Sequence, residues 1–359
     1  MIKVLYAGSP DAAAKTFEIL NEKAMENGFE IAGVLTNPPS AKGRHKELVP
    51  TAVGLAARKA GIPVLEPEKL DGSARDAVAA LQPDMLVCFA YGHIFGPKFM
   101  ELFRFGGINL HPSALPQFRG CTPVNAAILE GLEKTAFSVQ KVSAKMDEGN
   151  ILAQVEVCLD GTENAAGLLN DAAEKGADLI CGILNDTSKN NAVAEGCVQS
   201  GEASYTGMIT KEMARIDWNC SAKEIDCMIR GYAGDPGAWT TEGLGAGNAA
   251  AGANNAGSGA SSGAVLKILC GYGCNETGEA IFKANENIYN GAGNALAALS
   301  AFSGAVPGTV CHFEKSRGIF VKCGQGFVCI TELQRQGKNA MKYKDFMNGA
   351  RNFVGSVLS

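Results

Sequence analysis

Short apolar runs alternate with longer stretches of helical spacing through the first half of the chain. Residues 2–7, 31–36, 85–90 and 108–110 are apolar runs of strand length, and segments such as 12–25 and 52–60 between them read as helices. The alternation predicts βαβ units and a parallel sheet with helices on both faces. Residues 137–142 and 151–157 add two strands and 164–185 a long helix, so a first domain spans 1–189 and a polar connection follows over 190–206. A second domain, 207–359, opens with Ile216-Asp217-Trp218 and a helix over 222–231. It continues as short strands punctuated by glycine at 265–269, 308–312, 319–323 and 327–333, the pattern of a small β-barrel. Residues 243–263 interrupt it with 7 Gly, 7 Ala, 3 Asn, 3 Ser, one Leu and no charge. Such a segment has too little to bury to offset its ordering entropy, and it reads as a flexible insertion between strand-like segments at 238–241 and 265–269.

With 359 residues, 46% hydrophobic and 19% charged, the chain has enough apolar material for two cores, which excludes fibrous and wholly disordered classes. The formal net charge is -5, so no global positive excess advertises a nucleic acid. The charge is uneven: from Thr309 onward 5 Lys and 3 Arg stand against 2 Glu and 1 Asp, a local +5 that leaves -10 on the rest. Taken alone, this basic half reads as a solvated face. No apolar run approaches the roughly 18 to 20 residues that cross a bilayer, and the opening segment is too short for a signal peptide's apolar region. Twelve cysteines without a Cys-x-x-Cys read as reduced thiols of the cytoplasm rather than a disulfide framework or a metal site.

Nucleotide signatures are poor. There is no Gly-x-x-x-x-Gly-Lys-Ser/Thr, and the first strand ends in Ala7-Gly8-Ser9-Pro10-Asp11 rather than Gly-x-Gly-x-x-Gly, so an ATP or nicotinamide enzyme is not expected. Ligands of open parallel sheets sit beyond the carboxyl ends of the strands. Two of those ends carry Tyr91-Gly92-His93 and Asn109-Leu110-His111. Asn109 and His111 are two apart on an extended strand, so their side chains leave one face and converge, an amide donor beside a group that exchanges protons near neutral pH. That is the pair wanted around a developing oxyanion. Asn at a strand end also closes Asx-turns and a single His is often a turn residue, so spacing leaves both readings open. Asp147, in Lys145-Met146-Asp147-Glu148-Gly149 between two predicted strands, is placed to hold an imidazole or accept a proton, but Asp with Gly two residues on is an ordinary turn signal and by itself favours that reading.

The run Asn109-Leu110-His111-Pro112-Ser113-Ala114-Leu115-Pro116-Gln117-Phe118-Arg119-Gly120 resembles the folate signature of the 10-formyltetrahydrofolate-dependent formyltransferases. Ala7-Gly8-Ser9-Pro10-Asp11, Gly43-Arg44 followed by Leu48-Val49-Pro50, and Ala214-Arg215-Ile216-Asp217-Trp218 are similar, in that order, to the branch acting on methionyl-tRNA. The resemblance covers nearly the whole chain except 243–263 and parts of 274–305. It implies an α/β, Rossmann-like, mostly parallel catalytic domain followed by an oligonucleotide-binding-type β-barrel. It further implies formyl transfer from 10-formyltetrahydrofolate to the α-amino group of methionyl-initiator-tRNA, in a cytoplasmic monomer with no metal and no membrane contact. Asn109, His111 and Asp147 fall on the family's catalytic positions. Ser113, Ala114, Leu115 and Pro116 fall on its folate-binding tetrapeptide, where Ala114 replaces a usual leucine. Arg44 falls on the loop that engages the tRNA acceptor end, although Pro39-Ser40-Ala41-Lys42 departs from the family's usual Asp-Arg-Pro-Ala. With Arg44, the lysines Lys338, Lys342 and Lys344 of the basic second domain are the expected tRNA contacts. The alternative is a sister enzyme acting on a small amine, such as an amino-sugar nucleotide or glycinamide ribonucleotide, or a formyltetrahydrofolate hydrolase; the basic second domain and Arg44 favour tRNA, because a small substrate needs no extended phosphate-binding surface.

Overall fold

The computed structural model describes residues 1–42, 47–243, 263–282, 285, 299–350 and 352–359. Its contacts divide the chain into two units. The first comprises Met1–Val124, Lys134–Val157 and Gly167–Gly207, and the second Asn125–Glu133, Cys158–Ala166 and Met208–Ser359. The secondary structure runs β1 (Ile2–Ala7), α1 (Asp11–Lys23), β2 (Phe29–Leu35), β3 (Ser40–Lys42), β4 (Glu47–Val49), α2 (Ala52–Lys59), β5 (Val64–Leu65), α3 (Gly72–Ala80), β6 (Met85–Cys88) and α4 (Pro97–Met100). It goes on with β7 (Gly107–His111), β8 (Arg119–Gly120), α5 (Pro123–Leu129), β9 (Lys134–Lys141), β10 (Ile151–Cys158), α6 (Ala165–Asn190) and β11 (Tyr205–Thr206).

Seven strands of the first unit form one sheet in the order β10-β9-β7-β6-β1-β2-β5. β1 pairs in parallel with β2 and β6, and β6 with β7, whereas β9 joins β7 antiparallel. The central strands are apolar along their whole length because both faces are covered: Val4, Leu5, Tyr6, Ala7, Leu86 and Val87 are all fully buried. Helix starts are fixed by side-chain caps, Thr51 Oγ1 accepting from the Gly54 amide at 3.0 Å and Asp71 Oδ1 from the Ala74 amide at 3.1 Å, each worth about 1 kcal/mol. From β1 the chain first builds outward through β2 and β5, then returns to the other side as β6 and β7. Strand order thus reverses beside β1 and β6, and such reversals open a crevice at the strands' carboxyl ends. Residues 190–206, expected as a polar connection, are instead held to the first unit, with β11 pairing β8 and the Gln199 side chain bonded to Arg119.

The second unit carries α7 (Ala222–Gly231), β12 (Trp239–Thr241), β13 (Val265–Cys274), β14 (Val310–Glu314), β15 (Gly318–Lys322), β16 (Phe327–Arg335), β17 (Met341–Lys342) and α8 (Tyr343–Gly349). The strands form one antiparallel sheet ordered β12-β13-β16-β15-β14, with β17 on β16. The C-terminal tail ties its two outer strands together: Ser359 exchanges both backbone bonds with Thr241, while Val310 and Leu358 donate to Ser356 and Gly308. Trp218, Ile225, Ile268, Val321, Ile330 and Phe346 are buried within. One expectation is corrected here. The strand expected over 265–269 continues to Cys274, because the glycines that read as a break lie where backbones touch: a Cβ on Gly273 would sit 2.7 Å from the Ala222 carbonyl. The tail beyond β16, for which the sequence pattern gives no element, contains α8, whose Phe346 packs into the core. The expected insertion lies, but for its end glycines, outside the described residues; its flanks pair directly, Glu242 donating to the Ala264 carbonyl at 2.9 Å. Among the described residues no helix is long and apolar enough to cross a membrane.

Candidate active site

β7 presents Asn109 and His111 on one face at its carboxyl end. Asn109 lies in register with Cys88 of β6 and Gln140 of β9, and His111 with Ser138. Asp147 arrives on the loop joining β9 to β10, in the left-handed region at φ 55°. It is thus a turn residue, as its spacing predicts, and it also faces the crevice pair. Gly149 makes the turn possible, because a Cβ there would fall 1.8 Å from the Lys141 carbonyl oxygen.

The Asp147 carboxylate accepts from three sides. Gln140 Nε2 donates to Oδ1 at 2.8 Å, the Gly120 amide donates to Oδ2 at 2.8 Å, and Asn109 Nδ2 approaches Oδ1 at 3.5 Å. His111 is buried, and its Nε2 lies 2.8 Å from the Phe118 carbonyl oxygen. A carbonyl only accepts, so Nε2 carries the proton and Nδ1 is the nitrogen turned toward chemistry. Nδ1 stands 3.7 Å from Asp147 Oδ2, longer than a hydrogen bond. Burial pulls the His111 pKa below the usual imidazole value, partly opposed by the Asp147 charge and the Phe118 carbonyl, so the ring is neutral near pH 7. Beside Asn109, on β6, burial pushes the Cys88 thiol up to about 12, which keeps a second negative charge away from Asp147.

Ser113, Ala114, Leu115 and Pro116 form tight turns directly after β7. The Ser113 hydroxyl donates to the Gln117 carbonyl at 2.6 Å, and the Ser113 carbonyl accepts from Ser138 Oγ at 2.6 Å. The serine thus shapes the turn, Leu115 and Pro116 are buried, and Ala114 is the half-buried member. Arg44 lies outside the described residues. Lys338, Lys342 and Lys344 belong to the second unit, where all three are exposed on and around β17; Lys342 pairs with Glu332 and the Lys344 ammonium lies 5.7 Å from the Tyr343 ring centroid. Four contributors escaped the sequence reading: Gln140, Gln199, the Phe118 carbonyl and the Gly120 amide. Gln140 alone left a trace, as an amide within a strand-like run, and it is itself buried. Backbone groups leave none.

The chain matches the family model described as "Formyl transferase" over residues 2–184, and that described as "Formyl transferase, C-terminal domain" over 208–269 and 272–351. Methionyl-tRNA formyltransferase of Treponema denticola is 34% identical over 361 residues, with 98% of each chain covered. That of Bacillus subtilis is 31% identical, covering 100% of this chain and 98% of the relative. Among solved structures, HypX from Aquifex aeolicus in complex with tetrahydrofolic acid shares the fold at a TM-score of 0.60 and 13% identity, over 99% of this chain and 48% of that one. A mostly parallel α/β sheet and a second, antiparallel unit, each matched by its own family model, define a formyl transferase. Within that class, the end-to-end identity is decisive: the chain belongs to the methionyl-tRNA formyltransferase family.

Proposed function

We propose that the protein transfers a formyl group from 10-formyltetrahydrofolate to the α-amino group of methionyl-initiator-tRNA, with Asn109, His111 and Asp147 as its catalytic residues. The observation that carries the reading is the meeting of these three side chains at the carboxyl end of β7, in a chain that aligns along its whole length with methionyl-tRNA formyltransferases. The donor set fits a formyl-folate: Asn109 Nδ2 makes a single long contact among the described residues, which leaves an amide donor for a formyl oxygen. When bound, the folate supplies a formyl carbon activated by its N10 leaving group.

The chain's own residues then have separable tasks. Asn109 donates to the formyl oxygen as negative charge gathers there during amine attack, a role typically worth about 3 to 4 kcal/mol. His111 Nδ1, neutral and unprotonated, accepts the proton the amine gives up, and Asp147 steadies the resulting imidazolium. The same proton is then returned to the departing N10, so acid and base balance over one turnover. The turns at Ser113, Ala114, Leu115 and Pro116 border the folate, and Ala114 leaves more room than a leucine would. Arg44 and the exposed lysines Lys338, Lys342 and Lys344 serve the phosphates of the tRNA, with 207–359 acting as the tRNA-binding domain. The direct test is incubation of purified protein with 10-formyltetrahydrofolate and methionyl-initiator-tRNA, followed by mass analysis of the released aminoacyl group; formyl-methionine is expected, and unmodified methionine would refute the reading.

A further inference from the structure

The loop that carries Asp147 holds itself by short-range contacts, Ser143 Oγ donating to the Lys145 carbonyl at 2.7 Å and Lys145 pairing with Glu148 at 3.6 Å. Asp147 sits at φ 55°, and Met146 beside it is exposed. A longer-range tie on its backbone comes from Gln199, fifty-two positions away in the segment that precedes β11. Gln199 Nε2 donates to the Asp147 carbonyl at 2.8 Å and to the Gly149 carbonyl at 2.8 Å, spanning the turn on both sides of Glu148. The same nitrogen lies 3.2 Å from Gln140 Oε1, and Gln140 Nε2 in turn donates to Asp147 Oδ1. At the far end, Gln199 Oε1 accepts from Arg119 Nε at 3.1 Å and Nη2 at 2.8 Å, which fixes which way the Gln199 amide faces. Arg119 is itself held by the Tyr205 hydroxyl at 2.8 Å and by Glu148 at 3.3 Å.

We propose that Gln199 and Gln140 form a two-amide relay, anchored on Arg119, that positions the Asp147 carboxylate against His111 and Asn109 and thereby sets the rate of formyl transfer. Both are positioning residues, since neither faces the reacting atoms. Gln199 holds the Asp147 and Gly149 carbonyls, on either side of Glu148, and Gln140 holds one carboxylate oxygen of Asp147. The remaining oxygen is left to the Gly120 amide and His111. Misplacing a catalytic group by about 1 Å costs on the order of 100-fold in rate, so a clamp of this kind acts on turnover more than on substrate binding. The inference rests on the catalytic reading of Asp147 and is tested so that the two fail separately.

Gln199→Glu is the discriminating variant. It keeps an oxygen for Arg119, strengthening that end, while removing both N–H donors to the loop. The expected result is a folate KM close to wild type with kcat lowered about 30- to 100-fold, assayed well below a melting temperature that falls because the Asp147 and Gly149 carbonyls then face a carboxylate oxygen. Gln140→Met, of similar length and without a donor, is the second variant, with kcat expected to fall about 10-fold. In an Asp147→Ala background, Gln199→Glu should cost less than about threefold, because two residues acting through one group are not additive. Gln199→Glu turnover within threefold of wild type, or an undiminished loss in the Asp147→Ala background, overturns the relay while leaving Asp147 catalytic. Wild-type turnover in Asp147→Ala itself overturns the catalytic reading and the relay with it.

Discussion

Asn109→Ala separates catalysis from stability more cleanly than any other change in the site. Among the described residues the amide makes one contact, a 3.5 Å approach to Asp147 Oδ1 at the limit of a hydrogen bond, while Asp147 keeps 2.8 Å bonds from Gln140 and Gly120. Removing the amide therefore leaves no buried charge unpaired, and the stability cost is expected at about 1 kcal/mol or less. Turnover responds differently, because the donor reaches full strength only when the formyl oxygen carries charge. A preorganised oxyanion donor is worth about 3 to 4 kcal/mol, and at about 1.4 kcal/mol per decade this lowers kcat roughly 100- to 1000-fold. The assay is single-turnover formylation of methionyl-initiator-tRNA at saturating 10-formyltetrahydrofolate, with folate affinity and thermal melting measured on the same preparation. A variant that melts like wild type, binds folate like wild type and formylates within threefold of it would refute the assignment of Asn109.

Four further outcomes are expected. The His111 pKa is lowered in the folded state, so the unfolded chain takes up the proton first as pH falls; the stability His111 contributes is present above about pH 6.5 and lost below it. Thermal melts from pH 8 to 5 should show this decline, and His111→Gln, which still donates to the Phe118 carbonyl, should flatten it. Neutralising Lys338, Lys342 and Lys344 together should weaken tRNA binding and reduce its salt slope by up to about one log unit for each phosphate the lysines neutralise, with less from Lys342 because Glu332 already pairs it; an unchanged slope removes that face from the tRNA site. Arg44→Ala should lower kcat/KM for methionyl-tRNA and spare folate binding, and equal formylation rates would exclude it from the acceptor end. Replacing residues 244–262 by Asn-Gly joins flanks that are already paired at Glu242 and Ala264, so melting temperature and formylation should stay within error of wild type; a large loss of tRNA affinity would assign those residues to the interface.

How far the sequence carries the fold depends on where each element finds its partners. β1 and α7 are legible because local pattern decides them, an unbroken apolar run in one and helical spacing in the other, whose start the structure closes with a Ser221–Glu224 capping box. The second half of β13 is not, because Gly271 and Gly273 read as breakers until the opposing backbones are in place. The proposed catalytic trio shows the same division. Asn109 and His111 lie on one strand and declare their common face by spacing alone. Asp147 depends on a loop crossing back to that face, which no local pattern announces, and only family resemblance supplies it. Gln199 and the Phe118 carbonyl stay hidden because one is remote in sequence and the other is backbone. The polar segment that reads as a mere connection holds the loop of Asp147 and its surroundings, since its Gln199 and Ser204 side chains bond to the turn and strand elements there.

The central claim is tested most directly by letting acceptors compete. Purified protein supplied with 10-formyltetrahydrofolate and offered methionyl-initiator-tRNA, glycinamide ribonucleotide and an amino-sugar nucleotide in one mixture should formylate the tRNA with a kcat/KM at least about 1000-fold above either small amine, a margin that should shrink as salt is raised. Preferential formylation of a small amine, or release of free formate with no acceptor formylated, would contradict the account.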